Sequence, residues 1–383
     1  MPGYELFGED ERRAVNELFD ANNGVMFAHG FIGQRKGIFK VREFEKALAA
    51  DLGTAHCQVV SSGSAALLVG LKALGIKPGD EVITTSFTFI ATVEAIFEAG
   101  ATPVLTEIDD TYNMDPLDFE AKITPRTKAV IPVHMAGAPA RMDKILAVAR
   151  KHGLKVLEDS AQAFGGSFGG KTLGTLGDAG CYSFDFAKNI TTGEGGAVVM
   201  NSKDVYEIAR EYHDHGHMYN TSVPRGRDTR RASGFNYRMT ELQAAIGLVQ
   251  LKKLPKLLAA HRANGAALLK ALSGLGLKFR TIVGEEIADT LIFSLESKAA
   301  ALKLAEHLGK ESVGTKNLPD AVDWHFAGTW EHMFPGKTGQ WPRSKDLLER
   351  SIALPVNALM TPDEIARVAA AVKAGLPAAA SRG

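Results

Sequence analysis

Between about residues 55 and 200, short β-branched and apolar runs alternate with helix-length amphipathic stretches. Residues 81–85, 102–108, 128–133 and 155–158 read as strands, because Val, Ile and other apolar residues dominate them and Gly, Pro or Asp lies close by. Helices are expected between them at 64–74, 91–99, 116–123 and 141–152. Gly75, Gly100 and Gly153 stand where a helix end calls for positive φ. Asp115 and Pro116 supply an N-cap and a first-position proline. Strand–helix repetition at roughly 25-residue intervals predicts an α/β fold with a mostly parallel sheet. Strand-like runs at 180–184 and 196–200 close this large domain, expected to span 1–250. A long helical stretch, 240–272, follows, and Pro255 should break or kink it. The rest, 251–383, reads as a smaller α+β domain ending in a helix capped by Thr361, Pro362 and Glu364, with a frayed tail.

Composition narrows the function. The chain has 383 residues, with 44 Lys+Arg balanced by 44 Asp+Glu. That neutrality disfavours a dedicated nucleic-acid binder, which needs excess positive charge. The two cysteines, Cys57 and Cys181, lack zinc or disulfide spacing. No basic, apolar leader opens the chain and no run reaches membrane-spanning length, so a cytoplasmic protein that does not cross a membrane is expected.

Three stretches could carry chemistry. Lys188 follows an expected buried strand and precedes the Gly193-Glu194-Gly195-Gly196 turn. An exposed loop lysine needs no such frame, whereas a Schiff-base lysine needs a depressed pKa and close backbone approach. Both readings are open on spacing alone. Ser61–Ala66, at a loop-to-helix junction, is an ordinary N-cap or an anion site. Asp159, ending a parallel strand, is a turn residue or a group in the crevice where ligands of such sheets bind. His213, His215 and His217 invite a metal reading, but only Asp214 accompanies them and no metal site is expected. Neither a dinucleotide fingerprint nor a P-loop is present. Arg225, Arg227, Arg230 and Arg231 form a basic loop, either a solvated face or an anion-binding one.

From about Gly30 onward the chain resembles the DegT/DnrJ/StrS sugar aminotransferases. The resemblance rests on ordered motifs: Ser62-Gly63-Ser64-Ala65-Ala66-Leu67, Ser86-Phe87-Thr88-Phe89-Ile90-Ala91-Thr92, and Glu158-Asp159-Ser160-Ala161-Gln162. Ser183-Phe184 with Lys188-Asn189, the glycine turn, Gly234-Phe235-Asn236-Tyr237-Arg238-Met239 and Glu241-Leu242-Gln243 follow. The resemblance implies fold type I, with a seven-stranded sheet, and pyridoxal 5'-phosphate as cofactor. It assigns Lys188 to the cofactor aldehyde and to proton transfer, and Asp159 to the pyridine nitrogen, which an ionised acid keeps protonated. Gln162 falls beside the phenolic oxygen and Phe89 against the ring. Ser64, Ala65 and Ser183 fall in the phosphate cup. Asn236 is assigned to the neighbouring subunit's cofactor, which implies a homodimer with shared sites.

The expected reaction moves an amino group, from glutamate, onto a keto sugar. A related dehydratase class replaces the lysine with histidine, which Lys188 disfavours, and a non-catalytic regulator would not need the full residue set. The opening Met-Pro-Gly-Tyr-Glu-Leu-Phe-Gly, Ser183-Phe184-Asp185, Asp214-His215-Gly216-His217 and Trp324-His325…Trp330-Glu331-His332 resemble a branch that aminates 8-oxo-3,8-dideoxy-octulosonate. Such an acid asks for one anion clamp, from Arg231 or another basic-loop arginine, or from His325. A nucleotide-linked 3- or 4-keto hexose is the alternative acceptor.

Overall fold

A computed structural model describes residues 3–337 and 339–376. The expected frayed tail after residue 377 and the first two residues of the opening signature lie outside them. The strands are β1 (His56–Val60), β2 (Glu81–Thr85), β3 (Thr102–Thr106), β4 (Thr127–Ile131), β5 (Lys155–Asp159), the short pair β6 (Ser167–Phe168) and β7 (Lys171–Thr172), β8 (Ala179–Ser183), β9 (Gly196–Met200), β10 (Lys278–Phe279), β11 (Thr290–Ser294) and β12 (Ser351–Pro355). The helices are α1 (Glu9–Asn22), α2 (Lys40–Leu52), α3 (Gly63–Ala73), α4 (Ala91–Glu98), α5 (Pro116–Ala121), α6 (Met142–His152), α7 (Lys203–Tyr212), α8 (Glu241–Leu272), α9 (Lys298–Lys310), α10 (Val322–His325), α11 (Pro342–Glu349) and α12 (Pro362–Gly375).

Seven strands form the main sheet in the order β1-β9-β8-β5-β4-β2-β3. The four pairings from β8 to β3 are parallel, and β9 runs antiparallel to both of its neighbours. Every residue of β2, β8 and β9 is buried, because helices cover both faces. One apolar layer joins α3 to the sheet through Leu67, Leu71 and Val198, and another joins α2 and α8 to it through Phe44, Leu48, Tyr182 and Leu254. Gly75, Gly100 and Gly153 have the positive φ expected of helix ends. Thr361 caps α12 through the Glu364 N–H, as the sequence implies.

The expected break at Pro255 does not occur. Helix α8 continues through Pro255, which is exposed, because flanking Leu251, Leu254, Leu257 and Leu258 bury the opposite face. Packing of that face holds the helix where one ladder hydrogen bond is missing. Residue 250 lies inside this helix. Its first half joins the core under the main sheet, and Leu268 and Leu272 join the core of the three-stranded sheet β10-β11-β12, with α9 and α12.

Candidate active site

The carboxyl end of β5 presents two acids on opposite faces, as strand periodicity dictates. Glu158 faces the interior, where His134 Nε2 at 3.0 Å and the N–H groups of Gly174, Leu176 and Gly177 at 2.9, 2.6 and 2.7 Å surround it. Asp159 faces the other way and is 5% exposed. It accepts from Thr92 Oγ1 at 2.8 Å and the Ala161 N–H at 3.1 Å, and among the described residues it meets no cation at ion-pair distance. Thr92 is itself held by Thr88 Oγ1 at 2.7 Å. Sequence reasoning quoted Thr88 and Thr92 within a motif but gave them no role. Their four-residue spacing on the turn entering α4 was the available signal.

The N-terminus of α3 abuts the end of β8. A Cβ on Gly63 would lie 2.7 Å from Ser183 Cβ, and one on Gly196 would lie 2.3 Å from the Ser62 carbonyl oxygen. Only glycine permits that approach. Ser62 is the N-cap, accepting from the Ala65 N–H at 3.0 Å. The N-cap reading of this segment therefore holds for Ala65. The N–H groups of Gly63 and Ser64, in the first turn of the helix, have no intrahelical acceptor. With the exposed Ser64 and with Ser183, they make a cup suited to an anion.

Lys188 stands in a braced turn between β8 and β9. The Phe184 N–H donates to Gly195 O at 2.8 Å, the Lys188 N–H to Asp185 O at 3.0 Å, and the Thr192 N–H to Phe184 O at 2.9 Å. Asn189 Nδ2 ties the turn to Phe164 O at 3.0 Å. Burial lowers the pKa of the Lys188 amine; Asp185 and Asp159 oppose that shift and Lys316 adds to it. The exposed-loop reading is corrected, since Lys188 is half-buried in this turn.

Phe89, 41% exposed, lies on the same side, its ring 6.5 Å from Trp324 and 5.5 Å from His325. Backbone bonds from Thr88 N–H to His325 O at 2.8 Å and from Ile90 N–H to Trp324 O at 3.2 Å dock α10 onto this loop. Gln162 Oε1 accepts from the Ala136 N–H at 3.0 Å, fixing its side chain beside β5. Asp159, Gln162, Ser183, Lys188, Phe89 and the α3 N-terminus thus gather at one end of the sheet.

Other candidates lie elsewhere in the chain. Asn236 is exposed, in an antiparallel bridge with Asp214, and makes no bond to the cup. Three of the four basic-loop arginines make internal contacts. Arg225 pairs with Asp214 at 2.6 Å, Arg230 reaches His217 Nε2 at 3.1 Å, and Arg231 pairs with Glu211 at 2.8 Å and Glu207 at 3.8 Å. Arg231 as a free clamp does not match that pairing, while Arg227 and Arg230 are exposed, as a solvated face requires. The three histidines diverge: His213 Nδ1 bonds Arg210 O at 2.6 Å, and His217 Nδ1 faces Asp228 at 3.4 Å. A cavity of about 480 Å³ between the 108–112 loop and the three-stranded sheet is lined by Asp109, Arg280 and Arg350, and by none of the candidates above.

Pyridoxal phosphate fits these residues. A buried carboxylate without a counter-cation suits a protonated ring nitrogen, a cup of helix N–H groups suits a phosphate, and a half-buried amine with lowered pKa suits an aldehyde. Fold and site together define a type I pyridoxal-phosphate enzyme. The model of the DegT/DnrJ/EryC1/StrS aminotransferase family matches residues 33–373, and the chain belongs to that family. It is 35% identical over 380 residues to the spore coat polysaccharide biosynthesis protein SpsC of Bacillus subtilis, covering 96% of this chain and 95% of that one. It is 47% identical over 220 residues to a GDP-perosamine synthase of Caulobacter vibrioides, covering 57% and 58%. The structure of an aminotransferase from Psychrobacter cryohalolentis superposes with a TM-score of 0.84 at 30% identity, covering 96% of each chain. No helix of the described residues is long and apolar enough to cross a membrane.

Proposed function

We propose that the protein transfers an amino group from glutamate to the carbonyl of a keto sugar, using pyridoxal phosphate, and that the acceptor is an 8-oxo-3,8-dideoxy-octulosonate. The observation that carries the catalytic assignment is the buried Asp159 carboxylate, with no cation at ion-pair distance among the described residues, at the same end of the sheet as the half-buried Lys188. Bound there, the cofactor supplies an electron sink for the carbanion formed when the α-proton leaves. Lys188 would hold the cofactor aldehyde, and its amine would take and return the proton at the donor α-carbon. The lowered pKa leaves that amine a larger neutral fraction near neutrality, so it can accept a proton. Asp159, fixed by Thr92 and Ala161, would keep the ring nitrogen protonated. Gln162 would serve the phenolic oxygen, Phe89 the ring, and Gly63, Ser64 and Ser183 the phosphate.

The octulosonate is supported by the branch signatures, and two basic-loop arginines already meet carboxylates, Arg225 at Asp214 and Arg231 at Glu211. The similarity to GDP-perosamine synthase favours a nucleotide-linked keto hexose as second reading. Reverse-direction assays with an 8-amino octulosonate and with nucleotide-linked amino hexoses separate them. Turnover of the hexoses alone would remove the octulosonate and leave the aminotransferase standing.

The active unit under this proposal is a homodimer in which Asn236 serves the partner subunit's site. Asn236 and Phe235 are exposed, and Phe31 and Ile32 add further exposed apolar surface. Mixing Lys188→Ala and Asn236→Ala proteins should restore part of the activity, because one shared site then carries both native residues. A fully active monomer in sedimentation would refute this.

A further inference from the structure

Two expected anion-binding groups are otherwise engaged. Arg231 is paired with Glu211 and Glu207. His325 Nδ1 lies 2.8 Å from the Ala321 carbonyl oxygen, which can only accept, so Nδ1 carries the ring proton. Burial lowers the His325 pKa, and Nε2 of the neutral ring is then an acceptor. That atom can receive a sugar hydroxyl but has no proton to give a carboxylate.

Lys316 stands nearby. Its N–H bonds Ala353 O at 2.8 Å, and its Nζ lies 2.5 Å from Asp289 Oδ2. Asp289 is almost fully buried and is held by Thr290 Oγ1 at 2.8 Å. Its Oδ1 lies 3.3 Å from the place a Cβ would take on Gly137. Gly137 follows Ala136, whose N–H holds Gln162. Contacts therefore run from Gln162 through the 136–137 turn to Asp289 and Lys316. The Lys316 charge is also among those felt by both Lys188 and His325. An ammonium has three N–H donors; Asp289 takes one, and the side chain is 19% exposed, so two donors remain for a ligand.

We propose that Lys316, oriented by the buried Asp289, receives the substrate carboxylate at this site. The proposal rests on the aminotransferase function above. A carboxylate has two sources here, the amino donor and a sugar-acid acceptor.

Calorimetric titration of the holo-protein with glutarate, a dicarboxylate without an amino group, and separately with a 3-deoxy-octulosonate distinguishes the sources. Lys316→Met should weaken at least one of them about tenfold or more, the scale of a lost charge-assisted hydrogen bond. Lys316→Arg should stay within about threefold of wild type, because it keeps the charge and donors. Loss confined to glutarate assigns the donor, and loss confined to the octulosonate assigns the acceptor. Lys316→Met binding both acids within about twofold of wild type overturns the proposal, as does a wild-type protein that binds neither. A glutamate-driven change in the wild-type cofactor absorbance, measured alongside, shows whether such a failure touches Lys316 alone or the aminotransferase function itself.

Discussion

Asp159 and Asp214 are both buried carboxylates of the same α/β layer system, and their surroundings are opposite. Asp214 is saturated: Arg225 at 2.6 Å, Arg238 at 2.5 Å and the Tyr219 hydroxyl at 2.7 Å converge on it, with His29 Nε2 at 3.5 Å. Its pKa lies well below the usual carboxylate range because the Arg225, Tyr219 and Arg238 bonds outweigh its burial. Asp159 has a threonine and one backbone N–H. Burying a charge is costly unless a partner compensates it. Where the chain supplies every partner, the acid organises the fold. Where it withholds the cation, the acid is set to meet a charge from outside.

The largest effect should come from Lys188→Ala. Turnover should fall by roughly 10³-fold or more, since proton transfer alone contributes about 10²–10⁴-fold. The melting temperature of the cofactor-free protein should change little. Turnover near wild type would break the comparison at its functional end.

Asp214→Asn should act on stability. Removing one partner from a buried ion cluster costs about 3–5 kcal/mol, readable by denaturant unfolding. The loss strands Arg225 and Arg238 against each other.

The matching change, Asp159→Asn, should cost activity at about the 10²–10³-fold level of a lost preorganised electrostatic partner. The cofactor-free protein should be no less stable, because an uncompensated buried charge has gone. If both aspartates proved equally structural, the distinction between them would fail.

A smaller effect concerns pH. Burial is the main cause holding His29 and His213 at about 4, against an ordinary value near 6.5. The unfolded chain therefore binds more protons between pH 6.5 and 4, and stability should fall as pH falls through that window. His213→Gln should lower the melting temperature at neutral pH and flatten its decline between pH 6.5 and 4.

Much of this was legible in the sequence because the signal was local. Strand 81–85 and the Gly75, Gly100 and Gly153 stops stand where the alternation placed them. β1 escaped notice because His56 and Gln58 interrupt its apolar run, and Gln58 is buried only through bonds to Glu45 and Val59 O. At Pro255 the helix does not break, because tertiary packing of α8 overrules local propensity. Lys188, Asp159 and Gln162 were legible as ordered motifs, since Asp159 ends β5 and Gln162 and Lys188 lie a few residues past the ends of β5 and β8. Lys316 and Asp289 were not. They lie 27 residues apart in irregular segments, and only the tertiary fold joins them.

The most direct test is the visible spectrum of the purified protein loaded with pyridoxal phosphate. The account predicts a cofactor band that disappears on adding glutamate and returns with a keto-sugar acceptor, and that Lys188→Ala lacks the wild-type band. A wild-type protein that takes up no cofactor, or whose band is unmoved by glutamate and other amino donors, would contradict it.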